Sequence, residues 1–216
     1  MENKDKIIDD NLKLNQDIER CKYKTYLIGS MESAGDDDGG KGWRLKISPP
    51  LIKRNVFIFN PTREEISKVG MPTGEFMSKL EGWQLSGNWE LFVKNMDKIW
   101  VGRTYMEKNE DDSLHCVRCL GDIDYVSLSD FLIWNYQEGD NPGGTYIELA
   151  LAWAKGIPVY LVTSVPKHKF NKSILYFLLS SGHDRGRIFP NNSQLLDFLD
   201  DEYNLKVTKE TKEEKK

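Results

Sequence analysis

Few side chains in this sequence combine a reactive group with a position where chemistry could occur. The stretch NPGGTYIELALAWAKGIPVYLV, residues 141–162, places one carboxylate, Glu148, near the start of an otherwise apolar helix, behind a Gly143-Gly144 turn. A carboxylate can take a proton or attack an electrophilic carbon, and a two-glycine turn lets a ligand lie against backbone. The same residues fit a purely structural role. Thr145-Tyr146-Ile147-Glu148 matches the capping box S/T-x-x-E, in which Thr145 caps the helix and Glu148 reaches back to its backbone N–H. Both readings set Glu148 at the mouth of one cleft.

A second carboxylate comes from GDIDYVSLSD, residues 121–130, where Asp122, Val126 and Asp130 recur every four residues and share a helix face running toward the next strand. Asp124 points elsewhere on that helix, and for Asp122 by itself an exposed surface charge is the favoured reading. A third group lies in the first apolar run: Tyr26 inside it, then Gly29 and Ser30 at its end. Gly29 lets backbone approach a ligand, Ser30 offers a hydroxyl, and Arg44, at the start of the next helix, could pair with a carboxylate or phosphate. An ordinary strand-to-loop turn with an exposed Arg fits that spacing as well.

Other patterns carry less chemistry. Gly35–Lys41 spells G-x-x-x-x-G-K, but Gly42 follows where a phosphate loop needs a Ser or Thr hydroxyl. Asp36, Asp37 and Asp38 lack the alternate spacing of a calcium loop. HCVRC, residues 115–119, has one C-x-x-C pair and no second pair to complete a zinc site, and it falls in an expected helix. His168 and His183 stand alone in loops. No metal and no cofactor are expected.

The elements that must position these groups alternate along the chain. Apolar runs at 24–29, 55–60, 130–134, 157–162 and 187–189 read as five strands, each nearly continuous in apolar residues, as in a parallel sheet buried on both faces. Helices are expected at 43–54, 63–81 in broken form, 86–108, 114–128, 145–155, 170–181 and 192–202. The fold class is α/β: a three-layer, doubly wound sheet of flavodoxin-like or Rossmann-like type, with helices on both faces. Such sheets bind ligands beyond the carboxyl ends of their strands, so the loops after Gly29, Asn60, Trp134 and Val162 are where a site is expected. Trp134, Asn135 and Tyr136 could meet a base there or pack under the insert.

The chain's 216 residues suit one domain over 21–205, with a Trp-rich helical insert at about 64–115, a polar segment 1–20 and a charged tail 206–216 expected to be flexible. The insert's EGWQLSGNWELF, residues 81–92, suits either a lid or a subunit contact. With 30 Lys and Arg against 34 Asp and Glu, mixed along the chain, nothing favours nucleic acid or an anionic membrane as partner. No run approaches a membrane span, and three cysteines do not make a disulfide framework. A soluble, cytoplasmic protein is expected.

TYLIGSM in the first strand, DIDYVSLSDFLI leading into the third and GGTYIELALAWAKGIPVYLV after it together resemble the nucleoside 2-deoxyribosyltransferase-like family. The resemblance covers residues 24–62 and 120–164 and leaves the insert unmatched. It implies cleavage or transfer at the N-glycosidic bond of 2′-deoxynucleosides or their 5′-monophosphates, small-molecule substrates, in a homo-oligomer. By the same resemblance Glu148 is the nucleophile at C1′, Asp122 the acid serving the departing base, with Asp124 as fallback, and Tyr26 the group that orients Glu148. Gly29, Ser30, Arg44, Asp140, Gly143, Gly144 and Thr145 would bind substrate. Asp140, eight residues before Glu148, is displaced from the Asp that the family's transferases often carry there. PGGTYIE also resembles the signature of cytokinin-activating phosphoribohydrolases, and a non-catalytic nucleotide-sensing module is a further alternative.

Overall fold

A computed structural model of the protein describes residues 18–30, 41–61, 69, 71, 73–108 and 114–205. The G-x-x-x-x-G-K pattern with its three aspartates, the first part of the broken helix and both expected flexible termini lie wholly or mostly outside those residues.

Five strands form one sheet: β1 (Tyr23–Ile28), β2 (Val56–Phe59), β5 (Phe131–Asn135), β6 (Val159–Val162) and β7 (Arg187–Phe189), in the order β2-β1-β5-β6-β7 with all pairs parallel. Apolar continuity is what each central strand needs: every residue of β5 and β6 is buried. Tyr26 pairs in register with Phe59 on one side and Leu132 on the other.

Helices cover both faces. Tyr26, Ile28, Leu132, Trp134, Val159 and Leu161 point to one side and pack against α4 (Asp122–Leu128), α5 (Gly143–Ala154) and α6 (Lys172–Asp184). Leu27, Phe131, Ile133, Tyr160 and Val162 point to the other and meet α1 (Lys41–Ile52) and α7 (Asn192–Glu202). The alternation of neighbours between two cores is the period-2 pleat of a strand. The doubly wound architecture expected from the sequence is therefore present, with the direction switch between β1 and β5.

Local sequence explains where α5 begins and ends. Its buried residues Thr145, Glu148, Leu149 and Ala152 make one stripe at helical spacing. At its end Gly156, at φ 68°, donates to the Trp153 carbonyl (3.1 Å) and Ile157 to that of Ala152 (2.9 Å), a Schellman motif followed by Pro158. The chain is thus turned straight into β6.

The region between β2 and α4 departs from expectation. Helices α2 (Thr73–Leu85) and α3 (Trp89–Trp100) form a small apolar cluster of their own around Val69, Phe76, Leu80 and Ile99. The expected helices 86–108 and 114–128 are each part strand: β3 (Gly102–Lys108) and β4 (Leu114–Leu120) pair as an antiparallel hairpin. HCVRC therefore sits in a strand, not a helix. Gly102, at φ 76°, ends α3 where an L-residue would be strained.

Candidate active site

The switch point brings the expected carboxylates together. Tyr26, in the middle of β1, is fully buried, with Glu148 of α5 and Asp122 of α4 both close enough to act on its hydroxyl. Glu148 and Asp122 are themselves buried, at 7% and 6% exposure, far below what isolated surface carboxylates show. Burial, then the charges of Glu148 and Asp122, hold the Tyr26 phenol well above its usual range, so at neutral pH it is a proton donor only. Its oxygen faces Glu148, though among the described residues it is one of three buried side-chain atoms, with Thr25 Oγ1 and Trp134 Nε1, without a hydrogen bond of good geometry.

The capping reading of Glu148 does not survive the structure. Helix α5 starts at Gly143 with Pro142 as its N-cap, and no side chain caps it. Tyr146 N–H donates to Pro142 O (3.1 Å), so the first turn closes before Glu148 is reached. Thr145 is inside the helix, and Glu148 stands in the second turn, where a capping box cannot form. The sequence signal misled because Pro-Gly-Gly suits a helix start as readily as Thr does.

Asp122 and Asp124 are separated just as clearly. Asp124 accepts from the Gly121 N–H (3.1 Å) and so caps its own helix. Asp122, the first residue of α4, is the one buried toward Tyr26. Asp130 is not on their face: it lies past the helix end, and its Oδ2 accepts from Lys24 N–H (2.7 Å) at the base of β1.

Around these groups the two switch-point loops are tied together. Gly29, at φ 151°, passes so near β5 that a Cβ there would lie 3.0 Å from Asn135 O. Ser30 Oγ donates to Asn141 O (3.3 Å), joining the end of β1 to the loop before α5. Arg44 is almost fully buried and donates to Leu27 O (3.3 Å) and Gly29 O (3.1 Å), which braces the strand end from the opposite face. Asp140 accepts from Gln137 N–H (2.9 Å) and shapes its own loop. Gly143 and Gly144 are exposed at the head of α5, whereas Thr145 is buried under them. Trp134 is wholly buried beneath Tyr136, Tyr146 and Phe170, so it is core and not a surface for a base.

One residue the sequence did not single out borders this site. Trp100, at the end of α3, lies over Gly144. The signal was available in Gly102 and Gly121, which flank the hairpin and allow its close approach.

No family model matches the chain, and no curated protein matches it. Its backbone is similar to that of a 2-deoxyribosyltransferase. That structure, from the psychrotolerant bacterium Bacillus psychrosaccharolyticus, is 16% identical over 81% of this chain and 90% of its own, with a TM-score of 0.47. A conserved protein from Enterococcus faecalis V583 gives 14% identity, 83% and 98% coverage and a TM-score of 0.45. A CMP N-glycosidase from Clostridium botulinum gives 14%, 82% and 98%, and 0.42.

Proposed function

We propose that this protein cleaves or transfers at the N-glycosidic bond of 2′-deoxynucleosides or their 5′-monophosphates. The observation that carries the reading is the convergence of Glu148, Asp122 and Tyr26, from three separate elements, at the switch point of the sheet.

Glu148 attacks C1′ of the deoxyribose, forming an ester bond as the C1′–N bond breaks. The bonding pair leaves with the base, which takes a proton from Asp122 because a base anion is a poor leaving group. Tyr26, neutral by burial, donates to the Glu148 oxygen that is not attacking and holds the carboxylate in line. In the second half, a water gives its proton to Asp122, or an acceptor base does, and attacks C1′ to release Glu148. Two displacements retain configuration at C1′.

Incubation with a panel of deoxynucleosides, their 5′-monophosphates and ribonucleoside 5′-monophosphates, with and without an acceptor base, followed by chromatography, tests this. Base release alone makes it a hydrolase, and exchange of bases a transferase. Binding with no release supports a nucleotide sensor, and release from ribonucleoside monophosphates alone a phosphoribohydrolase.

A further inference from the structure

The β3–β4 hairpin stands apart from the main sheet. Its strands pair only with each other, so among the described residues no strand covers the outer edge of β3 or of β4. An uncovered edge offers a row of backbone donors and acceptors to an extended chain, and two strands alone are marginal where three or more are stable. Apolar side chains lie open on the same unit. Met106 and Leu114 are exposed, at 59% and 60%, and the pairing of Met106 with Cys116 and of Lys108 with Leu114 makes them diagonal neighbours on one face.

The order of residues in β3 suits a second copy of the same strand. Backbone groups of alternate residues point outward, so a strand pairs antiparallel with its own copy about a residue and never between two. For GRTYMEK the axis that pairs all seven residues passes through Tyr105. Gly102 then stands opposite the copy's Lys108, Arg103 opposite its Glu107 and Thr104 opposite its Met106. Two-fold symmetry makes each of these matches occur twice. Axes through Thr104 or Met106 set Tyr105 opposite Arg103 or Glu107 and leave one end of the strand unpaired. The edge of β4 gives no such match, because LHCVRCL contains no acid and an axis through Val117 sets Arg118 opposite Cys116. Charges on an edge strand ordinarily keep copies apart, whereas a base and an acid placed evenly about a central residue draw them together. The same register sets Met106 beside the copy's Thr104 and diagonal to its Met106, so exposed apolar groups of both copies meet on one face.

We propose that β3 is a self-association edge: two copies of this chain join their hairpins antiparallel about Tyr105 into one four-stranded sheet, with Arg103 of each opposite Glu107 of the other. The contact is isologous, so it closes at two copies. It is independent of the reaction proposed above.

Sedimentation velocity of the full chain across a concentration series tests this. The wild type is compared with Arg103→Glu, Glu107→Arg, the double exchange of both, and an equimolar mixture of the two single variants, each checked for folding by circular dichroism. Arg103 and Glu107 are four residues apart on one strand, about 13 Å, too far to pair within a chain, so rescue reports contact between chains. The wild type sediments as a dimer. Each single variant sets like charges opposite one another at both ends of the seam and raises the dimer Kd by about tenfold or more. The double exchange restores the dimer, and the mixture restores it as a heterodimer. A monomeric wild type overturns the proposal, including the case in which the edge takes a strand from a different protein. A dimer indifferent to the single variants overturns it, because another surface then joins the copies. Loss that neither the double exchange nor the mixture repairs overturns it as well. Where one single variant fails to fold, the other and the double exchange still decide.

Discussion

The buried phenol of Tyr26 on β1 faces the buried carboxylate of Glu148 on α5. A neutral donor held beside a carboxylate in a dry site orients it at little cost in nucleophilicity. Tyr26→Phe separates the two sides of this relation. It lowers kcat for base release by about 10- to 100-fold, while stability stays within about 1 kcal/mol or rises, because an unsatisfied buried hydroxyl is removed. Kinetics beside thermal unfolding check both; a large loss of stability with kcat intact would show that the hydroxyl is a structural group.

Glu148→Gln leaves the fold in place and abolishes base release, a loss of at least about 10³-fold. Removing a buried negative charge leaves the melting temperature equal or higher. The capping role would have given a loss of about 0.5 to 2 kcal/mol instead. Normal turnover by the Gln variant would falsify the nucleophile assignment.

Asp122→Asn and Asp124→Asn, two positions apart on one short helix, separate chemistry from capping. The first lowers kcat most for bases that leave poorly, by about 10²-fold or more. The second keeps activity and costs about 0.5 to 2 kcal/mol, since Asp124 accepts from the Gly121 N–H. Reversed outcomes would mean that the acid is Asp124.

Two glycines near Trp100 differ sharply in what they tolerate. A methyl at Gly144 makes only ordinary contact with the indole, so Gly144→Ala folds with stability within about 1 kcal/mol. A methyl at Gly121 would collide with the Gly102 nitrogen and the Trp100 carbonyl, both at 2.4 Å, and neither backbone can yield cheaply. Gly121→Ala therefore costs about 3 kcal/mol or more and disturbs Asp122 as well. Chemical denaturation of the two variants reads this directly.

Alkaline pH probes three buried tyrosines. Burial raises Tyr26, Tyr160 and Tyr203 above the usual phenol value, the last two sharing a 2.8 Å hydrogen bond between their hydroxyls. Their protonated forms belong to the folded state, so their contribution is fully present below pH 10 and declines above it, as the unfolded chain ionises and the native one does not. Absorbance of tyrosinate followed against pH, beside circular dichroism, should show these three ionising only as the fold is lost. Their ionisation in native protein would contradict the burial.

The α/β class and the five strands were legible because buried parallel strands need unbroken apolar runs, and VYLV, FLIWN and their like supply them whatever surrounds them. The end of α5 was legible for a similar local reason, since Gly156 and Pro158 stop a helix by backbone conformation alone. The β3–β4 hairpin was not. Its strands GRTYMEK and LHCVRCL carry no unbroken apolar run, and the segment after α3 looks helical until Gly102 is given its positive φ.

The sequence by itself determined which residues could do chemistry: one carboxylate behind a glycine turn, another at a helix head, and a tyrosine in a strand. Which of them meet was decided only by the tertiary structure. Tyr26, Asp122 and Glu148 share a site because β1 and β5 pair at the switch point and set α4 and α5 on one face. The start of α5 at Gly143, two residues before Thr145, removed Glu148 from the cap and left it buried beside Tyr26. Trp100 reached the heads of α4 and α5 through contacts with Gly121 and Gly144, a pairing that tertiary packing decides even though the glycines themselves are visible in the sequence.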